Sequence, residues 1–287
     1  MIRTAAMSLL GCAGKRGVLA VALLAVVCAG CSPAPHPHPP PPPPGTEAEI
    51  ADAERLGQIL VNHDVAASRA TDALMRMGVP VTSGVATGII GWITVPGPTG
   101  LVVRFVGKSD GELAAFYDVR FSLQGVALPT RLDPPEPLRE SEAAAYRARQ
   151  IAIEQSTLDC SDRYNTVVFQ DPMAPGDDWL VYLLPATTVV GRVMVGRQLR
   201  VVVSEDGSQV IEQRALSKDC LALDPPPQQK PAPVAIFVTN LSSPTPNESH
   251  VYLNLLHGSP FGVATSLGHW MVVDGTISYL GAQNDDR

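Results

Sequence analysis

Residues 103–116, VRFVGKSDGELAAF, and residues 199–212, LRVVVSEDGSQVIE, follow one plan: a run of branched and aromatic residues, a polar Asp-Gly pair, and a second such run. Asp followed by Gly accepts the positive φ angles of a type I′ turn, so each fragment reads as a β-hairpin. A third copy stands at Asp274-Gly275, between Trp270–Val273 and Thr276–Leu280. The same Asp residues could in principle hold calcium. That ion takes six to eight oxygens, and no loop here offers a row of acidic residues to supply them, so the turn reading stands.

Around the first of these hairpins, residues 89–95, 101–106 and 113–121 read as an antiparallel meander. Ahead of it, Ala53, Leu56, Leu60, Ala67, Ala70, Leu74 and Met77 recur at steps of three and four, which predicts a helix over 47–77 that Gly78 and Pro80 stop. His63 falls on its apolar face and reads as a core residue with a satisfied ring. The segment 128–137 holds four prolines and reads as an ordered linker between two units. After it the order repeats: Ser141 caps a helix to about Ser156 with an alanine stripe, and strands follow at 166–170, 179–186, 198–204 and 209–216. The fold class expected is α+β, two helix-then-antiparallel-meander units (46–130 and 138–223) with a strand-rich C-terminal segment (232–281) packed on the preceding sheet. Within that tail HVYLNLLH (250–257) reads as strand, which places His250 and His257 on opposite faces.

The hairpin at 107–111 also spells G-x-S-x-G around Ser109, and His250, His257 and His269 lie downstream of it. A serine hydrolase using Ser109 and His250 is therefore one candidate. Its nucleophile elbow requires a strand-to-helix turn, whereas AAFYDVRFS after the motif alternates like a strand. There is no HExxH and no phosphate-binding loop, so no metal or other cofactor is expected. A helix lying across an antiparallel meander also resembles cystatin-like protease inhibitors, a likeness of architecture alone.

The N-terminus is more informative about location. Arg3, Lys15 and Arg16 precede an apolar run from Val18 to Val27, and no acidic residue occurs before Glu47. About ten apolar residues fall short of the roughly 20 that span a bilayer, which makes residues 1–30 a secretory signal. Cys28-Ala29-Gly30-Cys31 resembles the lipobox of bacterial lipoproteins, with Cys28 where that family usually has Leu. The resemblance implies cleavage before Cys31, acylation of Cys31 and attachment to the membrane of the cell envelope. Ser32 after it resembles the class sorted to the outer membrane. Cleavage would also remove Cys28, so the CxxC pair would not exist in the mature chain. The prolines of residues 31–45 would form an extended stalk of roughly 37 Å, and His36 and His38 within it lack the further ligands of a metal site.

Two further expectations follow from export. Cys160 and Cys220 are the two thiols left, and an oxidising compartment favours their disulfide, which closes a long loop worth about 4 kcal/mol in the chain-entropy model. Loss of residues 1–30 removes three of 21 basic residues and none of 28 acidic ones, leaving 18 against 28 and a net charge of −10. Such a chain gains nothing from a phosphate backbone, which argues against nucleic acid, and touches the bilayer through its lipid. The expectation is a non-enzymatic envelope lipoprotein that binds or positions another envelope protein.

Overall fold

The computed structural model describes residues 39–81, 88–173, 176–224 and 235–282. The three- and four-residue apolar steps fold as α1 (Glu47–Arg76), whose acidic first turn and terminal Arg76 both suit the helix dipole. Chain reversal at Gly78 (φ +79°) ends it. Strands β1 (Ile89–Gly97), β2 (Gly100–Ser109), β3 (Glu112–Phe121) and β4 (Ala127–Pro137) then form an antiparallel meander in chain order. Asp110 (φ 53°) and Gly111 (φ 89°) make the type I′ turn that brings Ser109 opposite Glu112. Ala66, Ala70 and Leu74 of α1 cover one face of this sheet, against Val103, Phe105 and Val119.

The proline-rich stretch 128–137, read above as a linker, is instead most of β4. Its prolines are tolerated because β4 is an edge strand, where a missing N–H can face outward. The register shifts between Ala115 and Tyr117, so Leu132–Pro135 loop out of the ladder before Glu136 and Pro137 rejoin it. Glu136 then reaches buried Arg104 (3.0 Å), which also binds Asp118 (2.9 Å) and Glu142 (3.0 Å).

Helix α2 (Glu140–Gln155) starts at Arg139 rather than Ser141, and the Glu142 carboxylate accepts the Arg139 N–H at 2.9 Å. Its alanines lie on the second sheet, built from β5 (Tyr164–Gln170), β6 (Trp179–Pro185), β8 (Leu199–Val203) and β9 (Val210–Ala215) in that order. Between them, β7 (Val193–Val195) pairs with β10 (Leu221–Leu223) as a separate ribbon. Every residue of β6 is buried: Trp179, Val181 and Leu183 face α2, while Leu180, Tyr182 and Leu184 face the other layer. Asp206-Gly207 departs from the expected two-residue turn. Only Gly207 has positive φ, and the Asp206 carboxylate instead ties a wider loop through Ser204 and Ser208. The disulfide Cys160–Cys220 joins the loop after α2 to the start of β10.

The tail begins with β11 (Ile236–Thr239) and continues with α3 (Glu248–His257), β12 (Phe261–Thr265), β13 (Gly268–Val273) and β14 (Thr276–Gly281). Residues 250–257, expected as strand, are therefore helical. The run contains one β-branched residue, Val251, and it is bracketed by Asn247, whose side chain accepts the Ser249 N–H, and Gly258 in the left-handed region (φ 64°). The tail is thus a third helix-then-meander unit, with β11 added parallel to β12.

α3 and the first half of α1 lie together in the core bounded by β5, β6 and the third sheet, where Leu56, Leu60, Tyr182, Tyr252 and Trp270 meet. The two helices come close at Gly57: a Cβ there would lie 2.5 Å from Val251 Cβ and Cγ1 and 3.0 Å from the Glu248 carbonyl oxygen. Gly57→Ala gains about 1 kcal/mol of helix propensity, but overpacking costs about 1–3 kcal/mol. We expect a net loss of stability in urea denaturation, and a gain would refute the close crossing. Gly111→Val meets no neighbour within 4 Å and should lose about 1–2 kcal/mol from its positive φ alone. Ser109→Ala should stay within about 0.5 kcal/mol of wild type.

Candidate functional site

Cys31, His36 and His38 lie outside the described residues. Ser109 ends β2 at a hairpin tip, a strand–turn–strand setting rather than an elbow into a helix. His250 sits in the first turn of α3, 4% exposed, and no cavity described here is lined by both residues. His63 Nδ1 lies 2.6 Å from Thr94 Oγ1, its ring tilted on Phe169, and burial lowers its pKa to about 4. Among the described residues no group of three His, Cys, Asp or Glu side chains is placed to hold a metal ion, and no helix is long and apolar enough to cross a membrane.

Polar chemistry gathers instead around the N-terminus of α3, which has a cavity on either side. The first, about 290 Å³, contains Glu248, Arg200 and Arg214. Its central charges pair with one another: buried Glu248 accepts from Tyr182 OH (3.1 Å) and Arg200 (3.3 Å), with Arg214 at 3.8 Å, while Glu49 and Asp52 line the same cavity outside this cluster. Burial raises the Tyr182 phenol well above its ordinary pKa, so it stays protonated and donates. One atom is left over, the buried Arg200 Nε.

The second cavity, about 270 Å³, lies between β10 and β11 with α3 as its floor, and is lined by Gln198, His250 and Leu253 among others. Gln198, 1% exposed, donates from Nε2 to the Met194 carbonyl at 3.1 Å, which fixes the amide orientation and leaves Oε1 buried without a partner. His250 Nδ1 accepts the Asn247 N–H at 3.1 Å, so the neutral ring carries its proton on Nε2. Burial lowers the pKa of this ring to about 4. The cavity's two serine hydroxyls are engaged elsewhere: Ser249 Oγ donates to Asn247 Oδ1 (2.7 Å), and Ser217 Oγ accepts the Arg197 N–H (2.7 Å). The site therefore offers one side-chain acceptor and one imidazole donor in an enclosure that mixes apolar residues such as Leu221, Phe237 and Leu253 with polar ones, Lys218 and Asp219 among them, a combination suited to holding a small polar group in a fixed orientation.

Sequence reasoning named His250 for a different partner and missed Gln198 and Asn247. Asn247 carried a signal, an Asx residue opening a segment that Gly258 closes. Gln198 carried none. No family model, curated protein or solved structure matches the chain.

Gln198→Met removes the unpartnered oxygen, worth about 1–3 kcal/mol when left unmade, at the cost of one hydrogen bond worth about 1 kcal/mol. Thermal denaturation should show the variant equal to or more stable than wild type. Marked destabilisation would mean that Oε1 is satisfied in the free protein. The two buried imidazoles set a pH dependence. Unfolded, each takes a proton near the ordinary value of 6.5, but folded only near 4, so stability is full above pH 6.5 and falls as pH drops toward 4. At 1.36 kcal/mol per unit this reaches roughly 3 kcal/mol for each ring. Asp64, raised by burial, opposes it in the carboxylate range. Urea midpoints at about pH 7 and about pH 5 should differ by several tenths molar or more, and equal midpoints would contradict the burial of these rings.

Proposed function

We propose that the chain is a lipid-anchored protein of the bacterial cell envelope whose folded body binds another envelope component without transforming it. The observation that carries the binding half is the cavity beside α3, where Gln198 Oε1 and His250 Nε2 stand as complementary acceptor and donor with no hydroxyl hydrogen-bonded to the imidazole. Supporting the location are the signal and lipobox resemblance of residues 1–31 and the Pro-rich segment that follows. The Cys160–Cys220 disulfide suits an oxidising compartment. Acylation would fall on Cys31, and Ser32 favours the outer membrane. A net charge of −10 after removal of residues 1–30 leaves the lipid as the link to an anionic bilayer and gives nucleic acid no purchase.

Expression of wild type and Cys31→Ser with an alkyne fatty-acid label tests the anchor. The variant should lose the label and leave the membrane fraction while keeping the Cys160–Cys220 bridge, and a labelled variant would reject this reading. Turnover of any member of an ester panel by wild type but not by Ser109→Ala would reject the non-enzymatic half.

A further inference from the structure

The second cavity opens along β11, and the way β11 is paired limits what can enter. Its neighbour in the third sheet is β12, and among the described residues no strand pairs with its other edge. The Ile236 and Asn240 N–H groups donate to Pro260 and Ala264, both toward β12. Peptide groups alternate sides along a strand, so those of Phe237 and Thr239 face away from β12, and no described residue hydrogen-bonds to them. β11 itself carries no charged residue, and the charges nearest its edge are Lys218 and Asp219, which line the same cavity. Phe237 is 75% exposed and Leu241 69% exposed, and both line the cavity that holds Gln198 and His250. Natural proteins usually cover or charge an apolar edge of this kind.

Deepening the binding reading above, we propose that the partner is an extended peptide that adds to the outer edge of β11 and places an Asn or Gln side chain in the cavity, donating to Gln198 Oε1 and accepting from His250 Nε2–H. Backbone pairing with Phe237 and Thr239 supplies affinity, and the pocket reads alternate side chains, as in other cases of strand addition. The selectivity follows from the buried Gln198 Oε1 and the proton on His250 Nε2. A primary carboxamide carries both complementary functions on one group. An Asp or Glu carboxylate would satisfy His250 but turn a negative oxygen on Gln198 Oε1. A Ser hydroxyl can serve both groups only through its single oxygen, whereas a carboxamide offers two separate atoms; a Lys donor would leave the His250 proton unmatched, and an apolar side chain would leave both. Leaving the buried Gln198 Oε1 unmatched costs roughly 5- to 150-fold in affinity.

The test is selection of a random heptapeptide phage library on the full-length acylated protein in detergent micelles. The expected result is enrichment of Asn or Gln at one position flanked by β-branched residues. Thr239→Pro should abolish recovery, because it removes an outward N–H and blocks the edge while Asn240 keeps its bond to Ala264. An edge strand tolerates such a proline, and an unchanged melt and intact disulfide would confirm folding. Gln198→Met should still recover β-branched peptides but lose the carboxamide preference. No enrichment over unselected library, a consensus without a carboxamide, or enrichment undiminished by Thr239→Pro would each overturn the peptide inference. A small-molecule adduct seen by native mass spectrometry on the same preparation would then preserve the broader binding reading, whereas cleavage of the recovered peptides would defeat both.

Discussion

The arrangement depends on how closely α1 and α3 approach. Gly57 removes the one side chain that would keep Val251 away, and below the contact buried Asp64 fastens the pair. Its Oδ2 accepts from Tyr252 OH at 2.8 Å and its Oδ1 from Asn165 Nδ2 at 2.9 Å, so one carboxyl ties together α1, α3 and β5 from three units far apart in sequence. Burial raises the Asp64 pKa while both hydrogen bonds oppose that shift. A half-satisfied version of this network would cost more than an apolar core. With both oxygens engaged, it fixes which turn of α3 meets which turn of α1. The α3 N-terminus is held again by Glu248 through Tyr182, and this second fastening positions His250 over the cavity.

The first sheet and α2 are joined differently. Arg104, 5% exposed, meets three carboxylates, of Asp118, Glu136 and Glu142, and this cluster is a specificity device more than a source of stability, because desolvation offsets much of the attraction. Arg149 makes the contrast. It is 8% exposed with no carboxylate partner among the described residues, its guanidinium stacked over Trp92 at 4.8 Å and bonded to Thr166 Oγ1 at 2.7 Å, and burial lowers its pKa. Stacking and a neutral acceptor replace an ion pair there, which suits the weakly hydrated, planar guanidinium and would not suit lysine.

What the sequence discloses and what it conceals divide along a physical line. Features set by local stereochemistry are legible: the α1 stripe, and Asp110-Gly111 and Asp274-Gly275, whose φ angles are 53°, 89°, 49° and 80°. The disulfide is legible because only one pairing remains once the N-terminal cysteines are set aside. Features decided by neighbours are not. The prolines of β4 look like breakers until the strand is known to lie at an edge. α3 is short and leucine-rich, so its composition leaves helix and strand open, and its end signals at Asn247 and Gly258 had to be weighed above it. Gln198 is beyond any sequence pattern, since its unpartnered oxygen is a property of what surrounds it.

The wall of the cavity shows why such an oxygen can persist. Gly196 turns at φ 102° where a Cβ would lie 2.0 Å from the Asp219 carbonyl oxygen, and Arg197 follows at φ 57°, a conformation that costs a non-glycine residue about 1 kcal/mol or more. The surroundings hold both in place. The Arg197 N–H donates to Ser217 Oγ at 2.7 Å, its guanidinium grips both oxygens of Asp159 at 2.7 Å, and Cys160 next to Asp159 is bridged to Cys220 next to Asp219. Collapse of the wall onto Gln198 would have to break these ties together. The cavity is therefore kept open by covalent and charged contacts on its rim, so a ligand meeting Gln198 and His250 would find them already oriented, and little ordering would be charged against its binding.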